Sequence, residues 1–364
     1  MIQPTYAPAQ SAAARIHRHL AKHSVVPESG RVATLPDLPT LAALIDAAFW
    51  TSLRREEGYV PRVSLAFVAP AEVMDAVAFA ASHSLEPKDL TKLAAAVERS
   101  GLHLGVYHQH SELRAWGITR TLPRFCVVLE VLQPGLVVVK RSPAEESGKF
   151  INIAVLQGDE VKIIDPDAAT RPDYQFTADA TVNVLLQLAV SMRAHGRGGT
   201  LLVVPAGSEN WTESILQPVT YSIEPAFSGL AKIMRKDVGA KPSRRWEDAL
   251  ARAVDVIAGL TAVDGATVIT ADYELRAFGA KIIRRKGSPI VAQVIVTEPI
   301  EGGTPVIAEP AQFGGTRHLS AAQFVHDQRD ALALVASQDG RFTAFAWSQS
   351  EDGVHANRID ALLL

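Results

Sequence analysis

The chain is short of the features that mark several protein classes. It holds one cysteine, Cys126, in 364 residues. One cysteine excludes an intramolecular disulfide and a thiolate zinc cluster. Its place in the apolar run 125–129 predicts a buried structural thiol. Surplus charge is also lacking: 36 Lys and Arg against 39 Asp and Glu leave a net −3. That balance shows no basic surplus of the kind that marks a nucleic-acid binder, so no nucleic-acid partner is expected. No apolar run approaches the ~20 residues that a spanning helix needs, so no membrane is expected. The N-terminus lacks a basic stretch followed by an apolar core, so no signal peptide is expected and the expected location is the cytoplasm.

A hydrophobic content of 48% with 21% charged residues is ordinary for a globular protein and supports a large core. The length predicts two domains. Residues 1–15, rich in Ala, Pro and Gln, read as a flexible N-terminus. An N-terminal domain is expected over 16–175. Leu41, Leu44, Ile45, Ala48 and Phe49 share a helical face, 63–68 reads as a strand, and helices are expected over about 71–82 and 87–99. From 102 to 165 the pattern turns strand-rich, with strands at 104–108, 113–118, 125–132, 136–141, 151–157 and 160–164 between Gly- and Pro-bearing turns. The Pro- and charge-bearing stretch 165–179 reads as the boundary.

Helices and strands alternate in the second domain, 178–364. An apolar face of Val182, Leu185, Leu186, Ala189 and Met192 ends at His195-Gly196-Arg197-Gly198-Gly199, where glycine suits a helix C-terminus. A buried strand follows at 200–204, a helix around Trp246 to Ile257, and a strand at 266–270. Segments 274–279 and 281–283 suggest a paired return. A Pro- and Gly-rich segment, 288–313, holds one further strand at 291–296. A helix over 316–328 and a hairpin of 331–336 with 341–347, turning at Asp339-Gly340, close the chain. The fold class is α/β (α+β): a mixed-sheet C-terminal domain flanked by helices, after a separate α+β N-terminal domain. The stretch 112–117, ELRAWG, echoes 274–279, ELRAFG, but six residues do not establish a duplication.

Two short motifs carry chemistry. Gly314-Gly315-Thr316-Arg317-His318 precedes a helix. Glycines admit close approach of backbone N–H groups to an anion, and the helix dipole favours negative charge there. Arg317 offers a planar, permanently charged fork for phosphate oxygens, and His318 a second donor. Asp264-Gly265-Ala266 opens a strand. A carboxylate there suits Mg²⁺ or Mn²⁺, and the two small residues leave room for a nucleotide. Each motif alone is equally at home in a plain turn. His103, His108 and His110 are close in sequence; His108 and His110 share an expected strand face, but hydrogen-bonded or surface histidines are the simpler reading. Arg284-Arg285-Lys286 reads as a solvated turn that could also meet phosphates, and Glu298, Glu301 and Glu309 read as solvated loop charges.

In this order and setting the two motifs resemble those of the diadenylate cyclase family, which has a DGA motif at a strand and a later GTRHR motif at a helix start. The resemblance extends to 185–204, LLQLAVSMRAHGRGGTLLVV, and to 330–345, DALALVASQDGRFTAF. It implies condensation of two ATP into cyclic di-AMP. In it, Asp264 is the metal-linked carboxylate that activates a ribose 3′-hydroxyl. Gly265 and Ala266 shape the nucleotide site, Gly315, Thr316, Arg317 and His318 bind the triphosphate, and Ser337 lies near the phosphates. Family logic puts one ATP in each domain, so two domains meet face to face in a homodimer or higher oligomer. Region 1–175 resembles the sensor domains of the DACNV type found ahead of some cyclase domains. Two departures stand out. Leu319 occupies the position of the motif's last arginine, and 53 residues separate Asp264 from Arg317, with 288–313 as an insertion. They motivate two alternatives: an inactive homologue acting as a nucleotide receptor, and an interaction protein keeping only the fold.

Overall fold

The computed structural model describes residues 5–23, 32–110, 112–144, 150–165, 183–236 and 244–364. The chain divides into two compact units, Met1–Ile164 and Asp165–Leu363. Most of the expected boundary stretch, 166–179, lies outside the described residues.

In the first unit, helices α1 (Ala9–Lys22), α2 (Leu38–Ser52) and α3 (Pro87–Val97) cover one face of an eight-stranded sheet. Its strands are β1 (Ser64–Phe67), β2 (Ala76–Ser84), β3 (His103–Gln109), β4 (Glu112–Thr119), β5 (Val127–Gln133), β6 (Leu136–Arg141), β7 (Ile151–Gln157) and β8 (Glu160–Ile163), in spatial order β2-β4-β3-β1-β5-β6-β7-β8. Asp37 caps α2 by accepting from the Thr40 amide at 2.9 Å. Leu41, Leu44 and Ile45 of α2 are buried against Leu65, Leu104 and Leu129 of the sheet. Two expectations fail here. Residues 9–15, expected loose, form the first turns of α1, where Ala9, Ala12, Ala13 and Ile16 are buried and Tyr6 stacks on Phe49 at 3.7 Å. Residues 76–82, expected helical, are in β2. The Ala-rich run has a helical spacing of apolar residues, but antiparallel pairing with β4 gives its backbone a ladder that outweighs a weak local preference.

The second unit contains α4 (Val184–Ala194), β9 (Gly199–Val204), β10 (Tyr221–Phe227), α5 (Gly229–Lys236), α6 (Arg244–Leu260), β11 (Ala266–Thr270), β12 (Leu275–Ala280), β13 (Val294–Thr297) and β14 (Val306–Ala308). A one-turn helix, Pro310–Phe313, leads into α7 (Thr316–Asp327), followed by β15 (Leu332–Ala336), β16 (Phe342–Ser348) and β17 (Gly353–Arg358). Its mixed sheet runs β10-β12-β11-β9-β15-β16-β17-β13-β14. Asn183 caps α4 through the Leu186 amide at 3.0 Å. Leu188, Met192, Leu250 and Ile257 of α4 and α6 bury one sheet face, and Ala321, Phe324 and Val325 of α7 bury the other. The segment 288–313 adds β13 and β14 at the sheet's far side, where β13 runs parallel to β17.

The two sheets repeat one topology. Through seven strands, β2-β4-β3-β1-β5-β6-β7 and β10-β12-β11-β9-β15-β16-β17, chain order and every pairing direction agree, including a single parallel pair, β1 with β3 and β9 with β11. The echoed ELRAWG and ELRAFG segments fall on corresponding strands, β4 and β12. The units differ in what joins these strands, most clearly before the fifth. Between β12 and β15 the second unit carries α7, whereas residues 120–126 between β4 and β5 contain no helix.

Candidate functional site

Strand register brings the two motifs to one edge of the second sheet. Thr200 of β9 lies beside Ala266 of β11, Gly199 beside Ala336 of β15, and Ala266 beside Ala280 of β12. Asp264-Gly265 enters β11 at this edge, and Ser337 leaves β15 there. Arg317, from the first turn of α7, arrives at the same place: a Cβ added to Gly198 would stand 3.1 Å from its Nη1 and 3.2 Å from the Ala336 carbonyl oxygen. Gly198 reads in sequence only as part of a helix stop. Its bare, left-handed backbone (φ +71°) is what makes room for the guanidinium, and the Gly-Gly run just before β9 is the signal for it.

Gly265 is held in a conformation that L side chains rarely adopt, φ +108°, with its backbone against Gly279 and Ala280. A Cβ there would meet the Gly279 carbonyl carbon at 2.5 Å. Gly279 in turn lies under the Tyr221 ring, which stacks on Phe278 at 4.7 Å between centroids. The turn is thus fixed, and the Asp264 side chain, 88% exposed, projects from it. Its one ion pair among the described residues is with Lys281 Nζ at 3.8 Å. An exposed pair of that length contributes little, so the carboxylate is available to a ligand.

Gly315 is the N-cap of α7 and supplies no side-chain cap, so the helix presents its first amides and dipole toward this edge. His318 does not project with Arg317. Its ring is buried on Gly314 and against Phe345, with Nε2 3.3 Å from Thr343 Oγ1. Burial lowers its pKa, opposed by Asp339 and aided by Arg341 and Arg358, so the ring is neutral at pH 7. Arg317 is therefore the permanent cation of the motif. Leu319, 37% exposed, adds none. Ser337 opens the β15–β16 turn, where its amide donates to the Arg341 carbonyl at 2.8 Å.

No group of three His, Cys, Asp or Glu set to hold a metal occurs among the described residues. A lone exposed Asp264 still fits Mg²⁺ or Mn²⁺ of the kind held by one or two carboxylates plus substrate phosphates and waters. Two of the three histidines are hydrogen-bonded, in line with the simpler reading, and the shared strand face does not form. His103 is buried with Nδ1 2.7 Å from Ser64 Oγ, His108 Nε2 lies 2.9 Å from Thr40 Oγ1, and His110 falls in the turn after β3, off the strand face. Glu298, read as a solvated charge, pairs with Arg358 at 2.8 Å, both largely buried. Cys126 is buried, and burial raises its thiol pKa far above the usual range.

Fold and site together define a two-unit α+β protein whose second unit gathers a carboxylate, an arginine and a helix N-terminus at one sheet edge. The first unit has its own relationship: a family model described as "Probable sensor domain DACNV" matches residues 30–120, from just before α2 through β4, a quarter of the chain. No curated protein matches the sequence. No helix among the described residues is long and apolar enough to cross a membrane.

Proposed function

We propose that the second unit is a diadenylate cyclase that condenses two ATP into cyclic di-AMP, regulated by the sensor-like first unit in the cytoplasm. One observation carries this reading: Asp264-Gly265 and Arg317, 53 residues apart, converge on the same sheet edge around Gly198 and Gly199. The first unit repeats the sheet without a counterpart of α7, which favours the second unit for nucleotide handling.

In this reading Arg317 and the first α7 amides hold the triphosphate oxygens, and the dipole of the helix favours their charge. Gly265 and Ala266 let the nucleotide lie close to the backbone. Asp264 faces the ribose and accepts the 3′-hydroxyl proton as the 3′-oxygen bonds to the partner ATP's α-phosphorus and the α–β phosphoanhydride breaks. Two such steps release two pyrophosphates. Mg²⁺ or Mn²⁺ bound by Asp264 and phosphate oxygens would offset the charge that builds there. His318, neutral and packed against Phe345, positions the first turn of α7 beside Thr343. One edge holds one ATP, so catalysis needs two copies face to face, and the rate rises with the square of protein concentration in the dilute range.

The test is incubation of the full chain with ATP and Mn²⁺ or Mg²⁺, with analysis for cyclic di-AMP and parallel ATP-binding measurements. Product that disappears in Asp264→Asn, with ATP binding lost in Arg317→Ala, supports the enzyme. Absence of product where dimers and bound ATP are both demonstrated refutes it. Leu319 favours a second reading, a nucleotide receptor, because the third motif position supplies no cation. That reading requires binding of ATP or a cyclic dinucleotide without turnover.

A further inference from the structure

The opposite edge of the second sheet holds a cleft of about 590 Å³, a volume suited to a small ligand. It opens where β9 ends, at Val204, five residues along the strand from Gly199. That is roughly 16 Å from the Asp264–Arg317 edge at the rise of a β-strand. Its walls are the loop after β9, the turn at 285–289 and the C-terminal end of α7.

Cations dominate the lining. Arg285, Lys286 and Arg329 line it together with Asp330, and Arg329 also lies 3.8 Å from Asp352, while the other lining acid, Asp327, is already engaged. The Asp327 side chain is fully buried and accepts from Ser288 Oγ, from the Arg285 amide at 2.8 Å and from Gln323 Nε2 at 2.9 Å. It thereby fastens the turn bearing the cations to α7. Other ties brace the walls. Gln328 Nε2 donates to the Asn210 carbonyl at 3.0 Å and to Ser214 Oγ at 2.9 Å, and Arg285 pairs with Glu213 at 2.8 Å. Arg329 is laid over the Trp347 ring at 3.8 Å, which fixes its fork. Lys286 makes no ion pair among the described residues. A pre-braced cleft that keeps cations of this kind together is spared the cost of ordering them on binding.

We propose that this cleft is a second ligand site, separate from the motif-bearing edge, for a small polyphosphorylated molecule. Several cations around one opening suit a multiply charged anion better than a single carboxylate. The forks of Arg285 and Arg329 match phosphate oxygens, and Lys286 adds a point charge. The C-terminal dipole of α7 and the Asp330 carboxylate oppose an anion. Lys286, and the exposed forks of Arg285 and Arg329, whose surface pairs with Glu213 and Asp352 are weak, offset them.

Pyrophosphate is the probe, titrated calorimetrically into the full chain. Arg317→Ala serves as the background, so that binding at the other edge does not contribute. Binding persists in Arg317→Ala with one site per chain. In that background Lys286→Ala with Arg329→Ala weakens it at least tenfold, with the far-UV circular dichroism of the chain unchanged, because both side chains are exposed. No binding heat at millimolar pyrophosphate in Arg317→Ala overturns the proposal. So does a cleft variant that binds as tightly as its parent.

Discussion

Gly265→Ala tests whether the turn at the motif edge is as constrained as its geometry states. Two penalties add at this position. The backbone sits at φ +108°, and a side chain forced into left-handed space costs about 1–2 kcal/mol. The new Cβ would also stand 2.5 Å from the Gly279 carbonyl carbon, 2.7 Å from its oxygen and 2.9 Å from the Ala280 nitrogen. These are backbone atoms of a paired strand and cannot rotate aside, so relief requires β11 and β12 to part. Overpacking of this kind costs about 1–3 kcal/mol. The total expected loss is about 2–5 kcal/mol. Gly207→Ala is the control: it also has positive φ, +73°, but no atom lies within 4 Å of the added Cβ, so only the conformational part, about 1 kcal/mol, applies. Urea unfolding of the full chain by tryptophan fluorescence compares the two. If Gly265→Ala is no more destabilised than Gly207→Ala, the close approach of the 265 and 279 backbones is wrong, and with it the account of how Asp264 is presented.

Three further outcomes follow from buried groups. Burial holds the folded-state pKa of His318 below its ordinary 6.5, so the unfolded chain takes up the proton first as pH falls. Its contribution is complete above about 6.5 and is lost as pH drops from there toward the folded value, so stability measured against pH falls less steeply below 6.5 in His318→Gln. Asp327→Asn leaves the cluster of donors around a fully buried side chain facing an amide that can accept at only one atom. It should cost about 3 kcal/mol in urea unfolding and speed hydrogen exchange of the Arg285 amide; an unchanged exchange rate would show that Asp327 does not fasten that turn. Cys126, buried and with its thiol pKa raised, should resist thiol-directed alkylation until the first unit unfolds, and rapid native-state labelling would contradict its burial.

Much of the strand-rich region of the first unit was legible because its strands alternate with Gly- and Pro-bearing turns, a signal that needs no partner. The closing hairpin was legible for the same reason, with Gly340 at φ +85° serving the turn expected of Asp339-Gly340. Strands β10 and β17 were not. Pro225 interrupts the pattern of β10, which tolerates it as an edge strand, and β17 buries His355 and Asn357 where an apolar residue would have signalled a core strand. His355 is accommodated by Glu351, 2.5 Å away, a contact made across a turn and invisible to periodicity.

The sequence by itself determined that the chain is an α+β protein, that a glycine-rich segment opens a helix carrying a fixed cation at Arg317, and that Asp264-Gly265 opens a strand. Those are local properties, set by backbone freedom, capping and side-chain chemistry over a few residues. Only the tertiary structure decided that the two motifs share one sheet edge, because that depends on the parallel register of β9 with β11 and the antiparallel register of β9 with β15. It also separated Arg317 from His318. Adjacent on one helix, the first emerges beside Gly198 and the second packs under the turn against Phe345, so one keeps its charge at the surface and burial removes it from the other.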